Sequence, residues 1–220
     1  GGFLGGLFGG KTQPTQPSAP SPSQPASGNA WDPSRFSAQG ATALRPGMQP
    51  LRIAMLGVKS VPAAGGIARY VEELGSHLVA RGHEVTVYCR PQYLDDPACA
   101  PHRGIERRTT PGLRGKHLDA PTHTLSAAVH SMARDFDILH IHGLAPGFVT
   151  PLIRALSHKR IILTVHAWDA RGAKWGRAAS ACMEKAGGVA LRMSHAVTAV
   201  SRGLVDALQT ERGCRASYTP

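Results

Sequence analysis

The sequence predicts an α/β fold, a parallel sheet with helices on both faces, and three observations carry that reading. Leu51, Ile53, Ala54, Met55 and Leu56 form a short, nearly continuous apolar run, the pattern of a parallel strand buried on both sides. After Gly57 and a loop holding Lys59, Ser60 and Pro62, the apolar residues Ile67, Tyr70, Val71, Leu74 and Leu78 recur with helical spacing. Gly82 supplies a left-handed stop behind Arg81, and Glu84 to Cys89 (EVTVYC) reads as the next strand. Together they spell a β-α-β unit, the building block of a Rossmann-like sheet, with Gly65-Gly66 where the helix opens.

The later elements follow in order. Pro91 to Gly115 is rich in Pro, Arg and turn formers and reads as a surface excursion with one weak strand over Ile105 to Thr109. Leu118 to Arg134 gives a helix with Asp119 placed to cap it. Asp137 to His142 (DILHIH) is a strand. Phe148 to Leu156 is a short helix that tolerates Pro151 in its first turn. Arg160 to His166 (RIILTVH) is another strand. Ala173 to Met193 is the longest expected helix, and Gly187-Gly188 inside it should weaken or bend it, each glycine costing roughly 1 kcal/mol against alanine. Ala196 to Ser201 is a strand, Ser201 starts a helix reaching about Thr210, and Ala216 to Tyr218 opens a further strand.

The 220 residues divide by composition. In residues 1–47, prolines recur among Ser, Thr, Gln and Ala, a linker composition expected to form a disordered arm or an upstream translation artefact before Met48. Residues 48–220 are left as one domain. The opening GGFLGGLFGG is too short to span a bilayer and lacks the positive flank of a signal peptide. Four cysteines without a C-x-x-C pair read as reduced thiols of a cytoplasmic protein, with Cys89 in the core. The net charge of +11 is compatible with nucleic acid, anionic lipid or a phosphorylated substrate. The basic residues are scattered and lack the interleaved aromatics of a single-strand-binding groove, so nucleic acid is not expected as a partner.

Ligands of open parallel sheets bind beyond the carboxyl ends of the strands, where helix N-termini also point free amides. The residues expected there are Lys59 and Ser60, Gly65 and Gly66, His140 and His142, His166 with Asp169, and Ser201. Gly65-Gly66 allows a phosphate or sugar hydroxyl to approach backbone amides, or is simply a tight turn. His166 ends a strong strand and precedes Trp168, Asp169, Arg171 and Lys174. An imidazole there can donate to a substrate hydroxyl, and the two cations can meet phosphate. His140 and His142 share one face, the spacing of an H-x-H metal pair, and with His166 and Asp169 would make a metal-dependent hydrolase site. Ser201 is by default a helix cap and lacks G-x-S-x-G flanks. Neither G-x-G-x-x-G at the first turn nor G-K-[ST] is present, which disfavours a dinucleotide dehydrogenase and a Walker ATPase.

The segments LRIAMLGVKSVPAAGGIARYVEELGSHLVARGHEVTVYC, DILHIHG, TVHAWDARGAKWGR and HAVTAVSRGL, in this order and spacing, resemble the N-terminal domain of family-four retaining glycosyltransferases of the GT-B fold. The KWGR piece is similar to a bacterial subset that extends cell-surface polysaccharides. The resemblance covers about Leu51 to Pro220. It implies a two-domain enzyme that moves a sugar from a nucleotide-diphosphate sugar to a glycan or lipid-linked acceptor, with no metal and no further cofactor, in the cytoplasm or at the inner face of the membrane with peripheral contact. By position, His166 matches a strand-end histidine near the transferred sugar, and Gly65 and Gly66 match a glycine loop facing the donor phosphates. Asp169, Arg171, Lys174, His142 and Ser201 fall to the acceptor side or the cleft lining. The family's donor domain, with two glutamates separated by seven residues, has no counterpart here, and a glutamate often carried in the long helix falls at Gly187. Residues 1–220 alone are therefore expected to be inactive. A non-catalytic module that binds a nucleotide sugar or an anionic polymer is the third reading of the same residues.

Overall fold

The computed structural model describes residues 49–62, 65–94, 96, 99–115, 118–167 and 177–220. The elements alternate along the chain as β1 (Arg52–Leu56), α1 (Gly66–Ala80), β2 (Glu84–Cys89), β3 (Glu106–Thr109), α2 (Asp119–Met132), β4 (Ile138–His142), α3 (Thr150–Leu156), β5 (Arg160–Val165), α4 (Arg177–Met193), β6 (Ala196–Ala199), α5 (Arg202–Arg212) and β7 (Ser217–Tyr218). The strands form one seven-stranded sheet in the order β3-β2-β1-β4-β5-β6-β7, parallel at every pairing. The expected strands are all present, including the weak one, which becomes β3 at the edge beside β2.

Strand alternation gives the sheet two different faces. Ala54, Leu56, Leu139, Ile141, Ile161, Leu163 and Val165 point to the side covered by α2 to α5, where they pack with Ala127, Ile153, Ala190 and Leu208. Ile53, Met55, Val85, Val87 and Cys89 point to the other side and pack under α1 against Ala68 and Val71. Continuing along that second face, β4, β5 and β6 present His140, His142, Thr164 and Thr198 instead of aliphatics, so an apolar half passes into a polar half between β1 and β4. That boundary is the topological switch point: the chain leaves β1 for β2 on one side and returns to β4 on the other.

Three local expectations, on Ile67, Asp119 and the end of the last helix, are corrected by the structure. Ile67 is 39% exposed, and Ala68 takes the buried place beside Val71, because the helix turns its first residue away from the sheet. Asp119 does not cap α2. It is the first helical residue, and its carboxylate accepts from Arg90 (3.0 Å) and from the Gln92 amide, tying the exit of β2 to the start of α2. Gly187-Gly188 lie inside α4, which continues to Met193 with Leu144 packed 3.6 Å from where a Gly187 Cβ would stand. The last helix runs on to Arg212 and stops at Gly213, which is left-handed (φ 59°).

Candidate active site at the strand tips

Parallel pairing puts every strand's carboxyl end on one edge, and three connections there build the site. The first follows β1. Gly57 has φ 88°, and a Cβ on it would stand 2.7 Å from the His142 carbonyl oxygen, so only glycine lets the β1 exit pass the end of β4. The loop beyond is clamped from the sheet side. Arg90 N–H donates to the Lys59 carbonyl (2.7 Å), and the buried Arg107 donates to the Val61 and Ala100 carbonyls (3.2 and 2.5 Å) and to Asp96 (3.2 Å). Ser60 is buried with its hydroxyl 3.4 Å from the Pro62 carbonyl, and the Lys59 ammonium lies over the Tyr93 ring.

The loop ends at Gly65, whose φ of 123° is glycine territory, and α1 begins there with no side-chain cap. Gly65 and Gly66 are exposed, and among the described residues nothing lies within 4 Å of where a Cβ on either would be. A long helix therefore opens at the switch point with its first amides uncovered, an arrangement that favours an anion.

The second and third connections carry the imidazoles. His142 ends β4 and is fully buried, and His166 follows β5 half-buried, with His142 Nδ1 3.3 Å from His166 Nε2. Tyr70, one turn into α1, meets His166 edge-on at 4.9 Å between ring centroids. His140 lies one layer deeper, its ring 4.2 Å from that of His142, and its Nε2 reaches the Thr164 hydroxyl at 2.7 Å. Thr164 in turn meets the Thr198 hydroxyl at 2.7 Å, so a polar row crosses β4, β5 and β6 beneath the tips.

Burial sets the charge of this group. It pulls His166 down to about 4 and His140 to about 3, and His142 lies well below the usual imidazole range, with the neighbouring imidazoles adding to the effect on His140 and His142. All three are neutral at pH 7. One of the two nitrogens of the His142–His166 contact then donates and the other accepts. His142 Nε2 is buried without a partner among the described residues. A buried lone pair is tolerated better than a buried orphan N–H, so the hydrogen sits on His142 Nδ1 and is donated to His166 Nε2. His166 consequently carries its own hydrogen on Nδ1, a neutral donor presented at the tip.

The sequence-expected residues are thus partly gathered. His142 and His166 come together, with Tyr70 linking them to the helix that Gly65 and Gly66 open, and His142 lies behind His166, out of reach of solvent. His140 is inside the strand layer and occupied by Thr164. Ser201 is an N-cap, its hydroxyl accepting from Leu204 N–H at 3.2 Å. Asp169, Arg171 and Lys174 lie outside the described residues. The imidazoles do not converge on a common point, and no group of three His, Cys, Asp or Glu among the described residues is arranged to hold a metal ion. Sequence reasoning missed Tyr70, Thr164 and Arg107. Thr164 carried a signal, a hydroxyl on the otherwise aliphatic β5, whereas Tyr70 was absorbed into the apolar stripe of α1 and Arg107 into the scattered surface charge.

The fold is a Rossmann-like parallel sheet, with an uncapped helix and a neutral histidine at its switch point, and it matches the sheet of GT-B glycosyltransferases. The chain belongs to Glycosyltransferase Family 4, whose model matches residues 64–218. Among solved structures, its fold is similar to sucrose-phosphate synthase from Thermosynechococcus elongatus (TM-score 0.63, 18% identity, 79% of this chain and 48% of that one). It is also similar to the catalytic domain of starch synthase IV from Arabidopsis thaliana bound to ADP and acarbose (TM-score 0.52, 15% identity, 75% and 48%). A third likeness is to apo UGT2 of Phytolacca americana (TM-score 0.50, 12% identity, 78% and 51%). The chain thus spans about half the length of these structures. No curated protein sequence matches it.

Proposed function

We propose that this chain is the acceptor-side half of a glycosyltransferase that moves a sugar from a nucleotide-diphosphate sugar to a glycan or lipid-linked acceptor, with retention and without a metal ion. The observation that carries the reading is the neutral His166 lying edge-on to Tyr70 of α1, one turn past that helix's uncapped N-terminus, in a chain of this family. In this reading the Gly65 and Gly66 backbone faces the donor diphosphate. His166 donates from Nδ1 to a hydroxyl of the transferred sugar, and His142 fixes the tautomer and tilt of that ring. Asp169, Arg171 and Lys174 follow His166 closely enough in sequence to line the acceptor side of the cleft.

Retaining transfer develops positive charge on the sugar and negative charge on the leaving diphosphate. A neutral imidazole suits that site, since an imidazolium would oppose the oxocarbenium-like centre. The leaving group needs cationic or amide donors from a second domain as well, so residues 1–220 alone are expected not to turn over. Residues 48–220 are the folded acceptor-side domain of this proposal, and the reaction is assigned to the cytoplasm, where nucleotide sugars are available.

The test is His166→Ala in the complete enzyme, with sugar transfer followed directly. A kcat lowered by roughly 100-fold, the size expected for removing one donor to the reacting centre, supports the assignment. Full turnover overturns it.

A further inference from the structure

We propose that Tyr70 is a positioning residue for the transfer: its ring, anchored by a buried hydroxyl, holds the His166 imidazole in the one orientation that presents Nδ1–H at the strand tip. The assignment rests on the role of His166 given above and names what fixes that ring from the helix side. Side chains of an α-helix lean toward its N-terminus, and α1 opens at the site edge, so Tyr70 reaches back over the turn that Gly66 starts. Its ring meets His166 at 4.9 Å between centroids with the planes 84° apart, and His142 at 6.1 Å with the planes 64° apart. Both are edge-on packings, a preferred geometry for aromatic rings.

The far end of Tyr70 is held among polar groups. Its hydroxyl is buried beside the Thr219 and Thr164 side chains, which oppose the rise that burial gives its pKa, yet it completes no bond of normal geometry with either. Thr164 is already engaged, at 2.7 Å with His140 and at 2.7 Å with Thr198. A hydroxyl turned into this row has nothing to offer a substrate, so Tyr70 acts through the imidazole. The ring needs that second support. The contact from His142 Nδ1 to His166 Nε2, at 3.3 Å, fixes one nitrogen but leaves the His166 plane free to swing about the line between them. A neutral imidazole in water also favours the hydrogen on Nε2, the opposite of the form needed at the tip. An aromatic edge standing against the ring removes the swing and part of the surrounding water, and with them the route to the other tautomer.

The test uses the complete enzyme, with Tyr70→Phe and Tyr70→Leu, or Tyr70→Met if the leucine variant does not fold as judged by circular dichroism. Two quantities are read: kcat and KM for the nucleotide sugar, and the tautomer of His166 at neutral pH from its 15N side-chain signals, assigned by their loss in His166→Ala. Wild type and Tyr70→Phe should show a single Nδ1–H form. The variant without an aromatic ring should show a mixture with the Nε2–H form, and its kcat should fall by about tenfold or more with KM changed by less than about threefold, the pattern of a misplaced donor. Tyr70→Phe should keep kcat within about threefold of wild type, since the ring remains. A folded non-aromatic variant with wild-type kcat overturns the proposal, and so does one that keeps the single Nδ1–H form. A Tyr70→Phe variant as slow as the non-aromatic one also overturns it, because the hydroxyl would then be the working group. The tautomer is read without sugar transfer, so full turnover by His166→Ala would remove the role of His166 in transfer and still leave a separate result on what orients its ring.

Discussion

His140, His142 and His166 stay uncharged at neutral pH because the sheet and α1 remove them from water, and this makes acid a direct threat to the site. An imidazole whose pKa is depressed on folding binds its proton more readily in the unfolded chain, so stability is complete above the ordinary value near 6.5 and falls as pH drops toward the folded value. For His140, lowered from 6.5 to about 3, the loss by pH 5 is about 2 kcal/mol. Thermal unfolding should therefore occur at clearly lower temperature at pH 5 than at pH 7.5, and an unchanged midpoint would contradict the buried neutral group. Thr164 supplies the partner for the deepest of these rings and a bridge to Thr198. Thr164→Val should cost about 1–3 kcal/mol by urea unfolding, because it leaves the His140 nitrogen unpaired while preserving shape.

The elements around the tips are held by backbone constraints as much as by core packing. Gly57 sits at φ 88° with the β4 carbonyl in the way of any side chain, so Gly57→Ala should lose at least about 1–3 kcal/mol in a denaturant titration. Arg107 reaches from β3 to the loop after β1 and to Ala100, satisfying two carbonyls. Arg107→Met should cost about 1–3 kcal/mol and expose the segment from Gly57 to Gly65 to limited proteolysis, whereas an unchanged digestion pattern would mean the loop is held by other contacts. Ser201→Ala, in contrast, removes an N-cap hydrogen bond and should cost only about 1 kcal/mol. In the complete enzyme its transfer rate should then stay near wild type, which separates a capping role from a substrate contact.

For the whole molecule, the strands and helices were legible because each carries its own periodicity: continuous apolar runs for the buried parallel strands, three-and-four spacing for α1, and glycine after both α1 and α5. Alternation within DILHIH and RIILTVH also placed two histidine-bearing tips on one edge, and this, with the glycine pair, located the candidate site before any coordinate. The edge on which ligands bind follows from parallel pairing alone. Among the described residues, no helix is long and apolar enough to cross a membrane. What a linear pattern does not contain is which residues become neighbours across strands. The ring contacts of His166 with His142 and Tyr70, the bonds from His140 to Thr164 and from Thr164 to Thr198, and the clamp of Arg107 on Val61 join positions 24 to 96 residues apart. The same limit holds for α2, where packing buries His123, Thr124, Ala127, Ala128 and Ser131 and leaves Leu125 and Val129 exposed. Local sequence determined the elements, their order and the edge that carries the site. Tertiary structure decided that His166 reaches the tip half-buried while His140 and His142 lie buried beneath it, since protonation and exposure depend on the water that packing removes.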